Sequence, residues 1–250
     1  MNEIDKGFRF ERIEKKFWMT REQFEKLSEC LVANMRKNEY GLSEICNIYY
    51  DTPDFSLIRN SIERPLFKEK IRLRSYGIPN DDTPVFVEIK KKLNGIGYKR
   101  RIKVPYCDAL RLMKGNRVFS SQPQIENEIL DFINRYHPEP QVYLTYKRIA
   151  LSGKEDSDFR VTIDTDLRYK LYDEQTPLSN DGNYIMDDSS MILMEIKSSS
   201  AIPEWLLSEM SRLKIYQAPF SKIGTCYLKH IAPNTINGKI IKNMKEYSNV

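Results

Sequence analysis

Segment after segment of this chain alternates apolar with charged residues at a period of two. Ile71 and Leu73 interleave with Lys70, Arg72 and Arg74; Val87 and Ile89 with Glu88 and Lys90; Val161 follows Arg160; Met194 and Ile196 interleave with Glu195 and Lys197. Two is the strand period, so each run predicts a strand with one apolar and one charged face. Arg12-x-Glu14-x-Lys16, Lys99-x-Arg101 and Tyr146-x-Arg148 repeat the pattern. Strands are predicted over residues 8–18, 46–50, 66–76, 85–93, 98–104, 142–151, 159–167 and 191–197, with a last one at 220–227. Asn94-Gly95-Ile96-Gly97 reads as a hairpin turn.

Elsewhere the period is helical. Thr20 and Gln23 have the spacing of a capping box ahead of a stripe of Phe24, Leu27, Leu31 and Met35. Between Cys107 and Tyr136 the apolar side is Ile125, Ile129, Phe132, Ile133 and Tyr136, and Pro203 opens a third helix carrying Leu206, Leu207, Met210 and Leu213. Pro53, after Asp51-Thr52, also favours the first turn of a helix.

Charge decides how these elements assemble. The charged faces gather Arg12, Lys16, Lys70, Arg72, Arg74, Lys90, Lys99, Arg101, Arg148, Arg160 and Lys197, joined by Lys222, against only Glu14, Glu88 and Glu195. Like charges on neighbouring strands destabilise a sheet, so such a surface calls for a polyanion. The expected fold is α+β: a closed antiparallel β-barrel of about eight strands, charges inside, its apolar outer face covered by the helices.

Composition narrows the chemistry. Across 250 residues, 40 basic and 35 acidic side chains leave a net charge of +5, so the positive potential is focused rather than spread, which argues against a nucleic-acid coat. No Pro/Gly/Ser-rich linker divides the chain, which reads as one domain over residues 1–230 with a polar tail over 231–250. Cys30, Cys46, Cys107 and Cys226 have neither CxxC pairing nor metal-finger spacing and read as reduced. No apolar run approaches the length of a membrane span or signal peptide, and a cytoplasmic protein is expected.

Neither a GxxxxGK[ST] loop nor a GxGxxG is present, so any nucleotide must be held by side chains. His137 and His230 lie outside the charged runs and read as structural. What remains is positioning and electrostatics, the usual means of phosphoryl transfer. Arg suits bidentate phosphate contacts, Lys point-charge contacts. Glu195, Glu14 and Glu88 are then either ion-pair partners or ligands of a hard cation such as manganese or magnesium.

The order of these runs resembles the triphosphate tunnel metalloenzymes, and within them the polyphosphate polymerase domain of the vacuolar transporter chaperone (VTC) family. The resemblance rests on ERIEKKF at 11–17, YYDTP at 49–53, KIRLRSYG at 70–77, VEIKKK at 87–92, YKRRI at 98–102, YKRIA at 146–150, FRVTIDTDL at 159–167, MEIK at 194–197 and FSKI at 220–223. It implies that Lys16, Arg72, Arg74, Lys90, Lys99, Arg148, Arg160 and Lys222 bind the phosphates of ATP and of a growing polyphosphate, with Tyr146 helping to hold the chain. Glu195 would hold the metal, typically manganese. Arg12, Arg101 and Lys197 are tunnel candidates by periodicity alone. The first strand departs from the broader superfamily, with Arg12-x-Glu14-x-Lys16 where two glutamates are usual, which argues against the hydrolases that use both. The reaction implied is transfer of the terminal phosphoryl of ATP to polyphosphate. A metal-dependent triphosphatase and a non-catalytic polyanion binder are the alternatives.

Overall fold

The computed structural model describes residues 13–63, 65–94, 96–236 and 239–240. In chain order the elements are β1 (Ile13–Met19), α1 (Arg21–Asn34), β2 (Met35–Asp51), α2 (Ser56–Ile62), β3 (Phe67–Tyr76), β4 (Pro84–Leu93) and β5 (Ile96–Pro105). They continue with α3 (Tyr106–Met113), α4 (Pro123–Tyr136), β6 (Glu139–Gly153), β7 (Arg160–Leu171), β8 (Asn183–Tyr184), β9 (Ile192–Ser198), α5 (Glu204–Arg212) and α6 (Lys222–Cys226). The α+β class expected from the two periods is what folds.

One compact unit comprises residues up to Ser43 with 147–165 and 190–219. Here β9 pairs antiparallel with β1 on one side and β7 on the other. The inward face carries Phe17, Met19, Val161, Ile163, Met194 and Ile196, and Leu27 and Leu31 of α1 and Leu206 and Met210 of α5 pack with them. Thr20 caps α1 as its spacing predicts: its hydroxyl accepts from the Gln23 amide at 3.2 Å, while the Gln23 side chain accepts from the Thr20 amide at 2.8 Å. Each fully buried side chain of this kind contributes roughly 1.5–3 kcal/mol.

The second unit comprises residues 44–146, 166–189 and 220 onward. Strands β2, β3, β4 and β5 follow one another as an antiparallel meander. Its apolar face, Ile71, Leu73, Val87, Ile89 and Ile102, is covered by Ala109 and Leu112 of α3 and by Ile129 and Phe132 of α4. The other face is left to the charged residues.

Two expectations need correction. The sheet has the order β1-β9-β7-β6-β2-β3-β4-β5, with β8 beside β7, and among the described residues nothing joins β1 to β5. It is a large antiparallel sheet with two edges, not a closed barrel. Each edge has its own protection. Phe17 of β1 bridges Gln217, and the Ala218 amide donates to the Lys16 carbonyl at 2.9 Å. Along β5, the charged Lys99, Arg100, Arg101 and Lys103 oppose pairing with a further strand. The second correction is at 220–227, which holds helix α6 rather than a strand. The Ser221 hydroxyl caps it by accepting from the Gly224 amide at 3.2 Å. Six α-helices are found among the described residues, since 107–136 divides into α3 and α4 and the turn after Pro53 leads into α2.

Candidate functional site

In the second unit, register sets the charged face out as a grid. Tyr49, Arg72, Glu88 and Arg101 lie opposite one another in one row, Asn47, Arg74, Phe86 and Lys103 in the next, and Lys70, Lys90 and Lys99 in the row on the other side. Seven of these grid positions are basic and one is acidic. That single carboxylate, Glu88, is 1 % exposed and organises the cations around it. Arg72 donates to its Oε2 through Nε at 2.9 Å and Nη2 at 2.7 Å; Lys99 Nζ lies 2.5 Å from Oε1; Arg74 Nε lies 4.0 Å from Oε2. Burial alone would raise the Glu88 pKa, but Arg72, Arg74 and Lys99 outweigh it and hold the carboxyl well below the usual range. Glu88 is therefore held in its ionised form.

Two polar residues of β2 complete the fixation. Asn47 Oδ1 accepts from Arg74 Nε at 3.0 Å, and its amide donates to the Leu144 carbonyl at 3.2 Å. Tyr49 hydroxyl accepts from Arg72 Nη1 at 2.9 Å. Burial pushes the Tyr49 phenol up, yet Arg72, Arg74 and Lys90 prevail and bring it down to about 8. The Tyr146 hydroxyl accepts from Arg74 Nη2 at 3.0 Å, and Lys222 Nζ stands 4.6 Å from the Tyr146 ring centroid, within cation–π range. Lys222 reaches that position from the first turn of α6. Thus Arg72, Arg74, Glu88, Lys99, Tyr146 and Lys222 form one connected cluster. Lys90 and Arg101 share its face by register, with the Arg101 guanidinium 4.7 Å over Phe86.

A pH prediction follows from Tyr49. Its folded pKa is depressed, so ionisation is favoured above about 8, adding a negative charge among the cations. Affinity of this cluster for an anion such as triphosphate should fall as pH rises through about 8, and Tyr49→Phe should remove that step. Isothermal titration across pH, paired with the ultraviolet absorbance of the phenolate, checks both.

The first unit holds a second group, in which signs alternate. Glu14 lies opposite Lys197 and Lys197 opposite Arg160; Lys16 lies opposite Glu195 and Glu195 opposite Thr162. Lys197 Nζ is 2.6 Å from Glu195 Oε1 and 4.0 Å from Glu14 Oε2, and Lys16 Nζ is 3.5 Å from Glu14 Oε1. Arg148 gives its fork to Asp164, Nε to Oδ1 at 2.6 Å and Nη2 to Oδ2 at 2.7 Å, and Asp164 is fully buried. Arg12, the remaining candidate, lies outside the described residues.

The three candidate carboxylates sit in different surroundings. Among the described residues no group of three or more His, Cys, Asp or Glu side chains is placed to hold an ion. Glu14 and Glu195 share one strand face, and beside Glu195 the buried Thr162 Oγ1 has no hydrogen-bond partner. Two carboxylates and an orphaned hydroxyl suit a hard cation that takes its other oxygens from phosphate and water. Glu88 is paired with Arg72 and Lys99, as Glu195 is with Lys197.

Asn47, Tyr49 and Asp164 are absent from the sequence-derived set. All three obey period two: Asn47 and Tyr49 alternate with Cys46, Ile48 and Tyr50, and Asp164 continues Arg160 and Thr162. The two histidines stay outside both groups; His230 Nε2 pairs with the Ile185 carbonyl at 2.9 Å and its ring stacks on Tyr169.

Among solved structures, the fold is similar to a "putative adenylate cyclase" of Bacillus halodurans, with a TM-score of 0.51 at 15 % identity over 84 % of this chain and 93 % of that one. A second protein titled in the same way, from Vibrio parahaemolyticus, has a TM-score of 0.47 at 11 % identity over 86 % of this chain and 96 % of that one. No curated protein matches the sequence. The family model described as the VTC domain matches residues 11–230, the stretch that supplies every side chain of both charged groups, and the chain belongs to that family.

Proposed function

We propose that the protein is a polyphosphate polymerase that transfers the terminal phosphoryl of ATP to a polyphosphate chain with the help of a divalent ion. The observation that carries this reading is the clamp built on Glu88. Arg72, Arg74 and Lys99 are held in place before any ligand arrives, which is what stabilising a phosphoryl in transit requires. In the reaction, an oxygen of the chain end attacks the γ-phosphorus, the bond from that phosphorus to the β–γ bridging oxygen breaks, and ADP leaves with the electron pair. Arg72 and Arg74 would take phosphate oxygens bidentately, Lys90, Lys99 and Lys222 as point charges, and Tyr146 would support the chain. In the first unit Lys16, Arg148 and Arg160 would bind phosphate oxygens, with Lys197 adding field there as Arg101 would in the second unit.

Glu195 and Glu14 would hold manganese or magnesium, whose charge offsets that building on the transferred phosphoryl. Glu195→Gln keeps the side-chain size and removes the anion. Turnover in excess manganese should drop to the level measured in chelator while the melting temperature changes little; an unfolded or fully active variant would contradict the assignment.

The function itself is tested by incubating the purified protein with ATP and manganese while following free phosphate and long-chain polyphosphate together. Polymer accumulation with little free phosphate supports the polymerase. Free phosphate alone would replace it with a triphosphatase, and neither product would leave a polyanion binder.

A further inference from the structure

The second unit ends in an apolar tip that its helices leave uncovered. On the core face of the meander, Ile71, Val87, Ile89 and Ile102 are at most 1 % exposed. Toward the turn between β4 and β5 the same face continues as Phe67, Leu93, Ile96 and Tyr98, now 42 %, 51 %, 41 % and 51 % exposed. Phe67 lies opposite Leu93 and Leu93 opposite Ile96, so these three share one row; Tyr98, opposite Lys91, stands in the next. Leu66, 75 % exposed, adjoins them, its carbonyl accepting from the Asn94 amide at 2.7 Å.

Cations outnumber acids around the tip. Residues 66–68 and 90–101 contain no Asp or Glu, whereas Lys68, Lys91, Lys92 and Arg100 flank the apolar side chains. The nearest acid in register, Glu69, is 2 % exposed and is engaged by Arg135 at 2.7 Å and the Tyr136 hydroxyl at 3.1 Å; Lys91 and Arg100 also lie 3.7 Å and 3.9 Å from Glu128 of α4. Lys92, opposite Lys68 and Gly97, projects from the other face of the same hairpin.

From this juxtaposition we infer that the β3–β4–β5 tip docks on an anionic lipid surface, apolar side chains entering the interface and the flanking lysines meeting the headgroups. An apolar cluster within a cationic collar is complementary to a bilayer carrying anionic headgroups. A second copy would bring one cationic collar against another if it met tip to tip. A nucleic acid would have no use for three aliphatic side chains in the middle of the contact. The inference stands apart from the reaction proposed above, because none of these apolar residues belongs to the clamp.

The test is co-sedimentation of the full chain with vesicles of phosphatidylcholine, with and without a third of phosphatidylserine. Binding is expected only where phosphatidylserine is present. The Leu93→Ser/Ile96→Ser double variant and, separately, Lys92→Glu should each weaken it by about tenfold or more. Both should keep the wild-type melting temperature and ATP turnover, since the altered positions are exposed and outside the clamp. If the double variant loses fold, Leu93→Trp in its place should show indole quenching by bromine-labelled acyl chains. Three results would overturn the inference: no binding to either vesicle, binding unchanged in both variants, or a solution dimer that the variants dissolve without any lipid association.

Discussion

Replacing Glu88 by alanine should cost about 3–5 kcal/mol of stability, the loss expected when one partner of a buried ion pair is removed and the other is left charged. Arg72 is mostly buried and Lys99 about half-exposed, with side-chain exposures of 12 % and 41 %, so the larger share of the loss belongs to Arg72. Glu88→Gln, which can still accept from one donor, should lose less. Urea denaturation of both variants beside the wild type measures the difference. The acid dependence has a definite sign. Glu88 titrates lower in the folded chain than in the unfolded one, so its contribution is full above the ordinary glutamate pKa of 4.5 and disappears as pH falls toward the depressed value. Glu88→Gln should therefore remove part of the acid lability seen below that pH. If added triphosphate restored the alanine variant less than it stabilises the wild type, Glu88 would be positioning the cations as well as neutralising them.

The second large effect concerns Arg148. Its fork is met by both oxygens of Asp164, a geometry that lysine cannot reproduce. Arg148→Lys should lower turnover by about 100- to 1000-fold if the guanidinium stabilises charge that shifts during transfer. Triphosphate affinity should fall much less, because the remaining cations still attract the anion. Asp164→Asn keeps the guanidinium and loosens its orientation, and should reproduce part of the rate loss without the affinity loss. Arg160→Lys, measured alongside, separates the two arginines. Equal losses in rate and affinity would assign them to ground-state binding, and no loss in either would remove them from the site.

Much of this was legible because a strand exposes its chemistry at every second position. The runs containing Arg72, Arg74, Glu88, Glu195 and Lys197 mark both the strands and the face that carries the charge. What period two cannot supply is register. Which cation Glu88 meets depends on which residue of β3 lies opposite, and that pairing is set by the turns. Asn47 and Tyr49 carry no such mark because they alternate with apolar partners in a segment dominated by hydrophobic residues, so their side of β2 reads as core. The stretch 220–227 fits either period over so few residues, and only the Ser221 cap decides for a helix. Closure could not be read from patterning at all, since the edges of β1 and β5 are settled by Gln217, Ala218 and a row of exposed cations rather than by alternation.

Holding Glu88 inside the clamp means that the cluster carries a resident counter-ion. An anion arriving at the cluster must compete with Glu88 for the ammonium of Lys99. The same competition works on departure: as a bound anion loosens its hold, the carboxylate is already at 2.5 Å to reclaim the lysine. In the reaction proposed above, some affinity for the triphosphate would thereby be given up for faster release of a doubly phosphorylated product, so the ratio of the two residence times, more than the tightness of either complex, is what Glu88 would set.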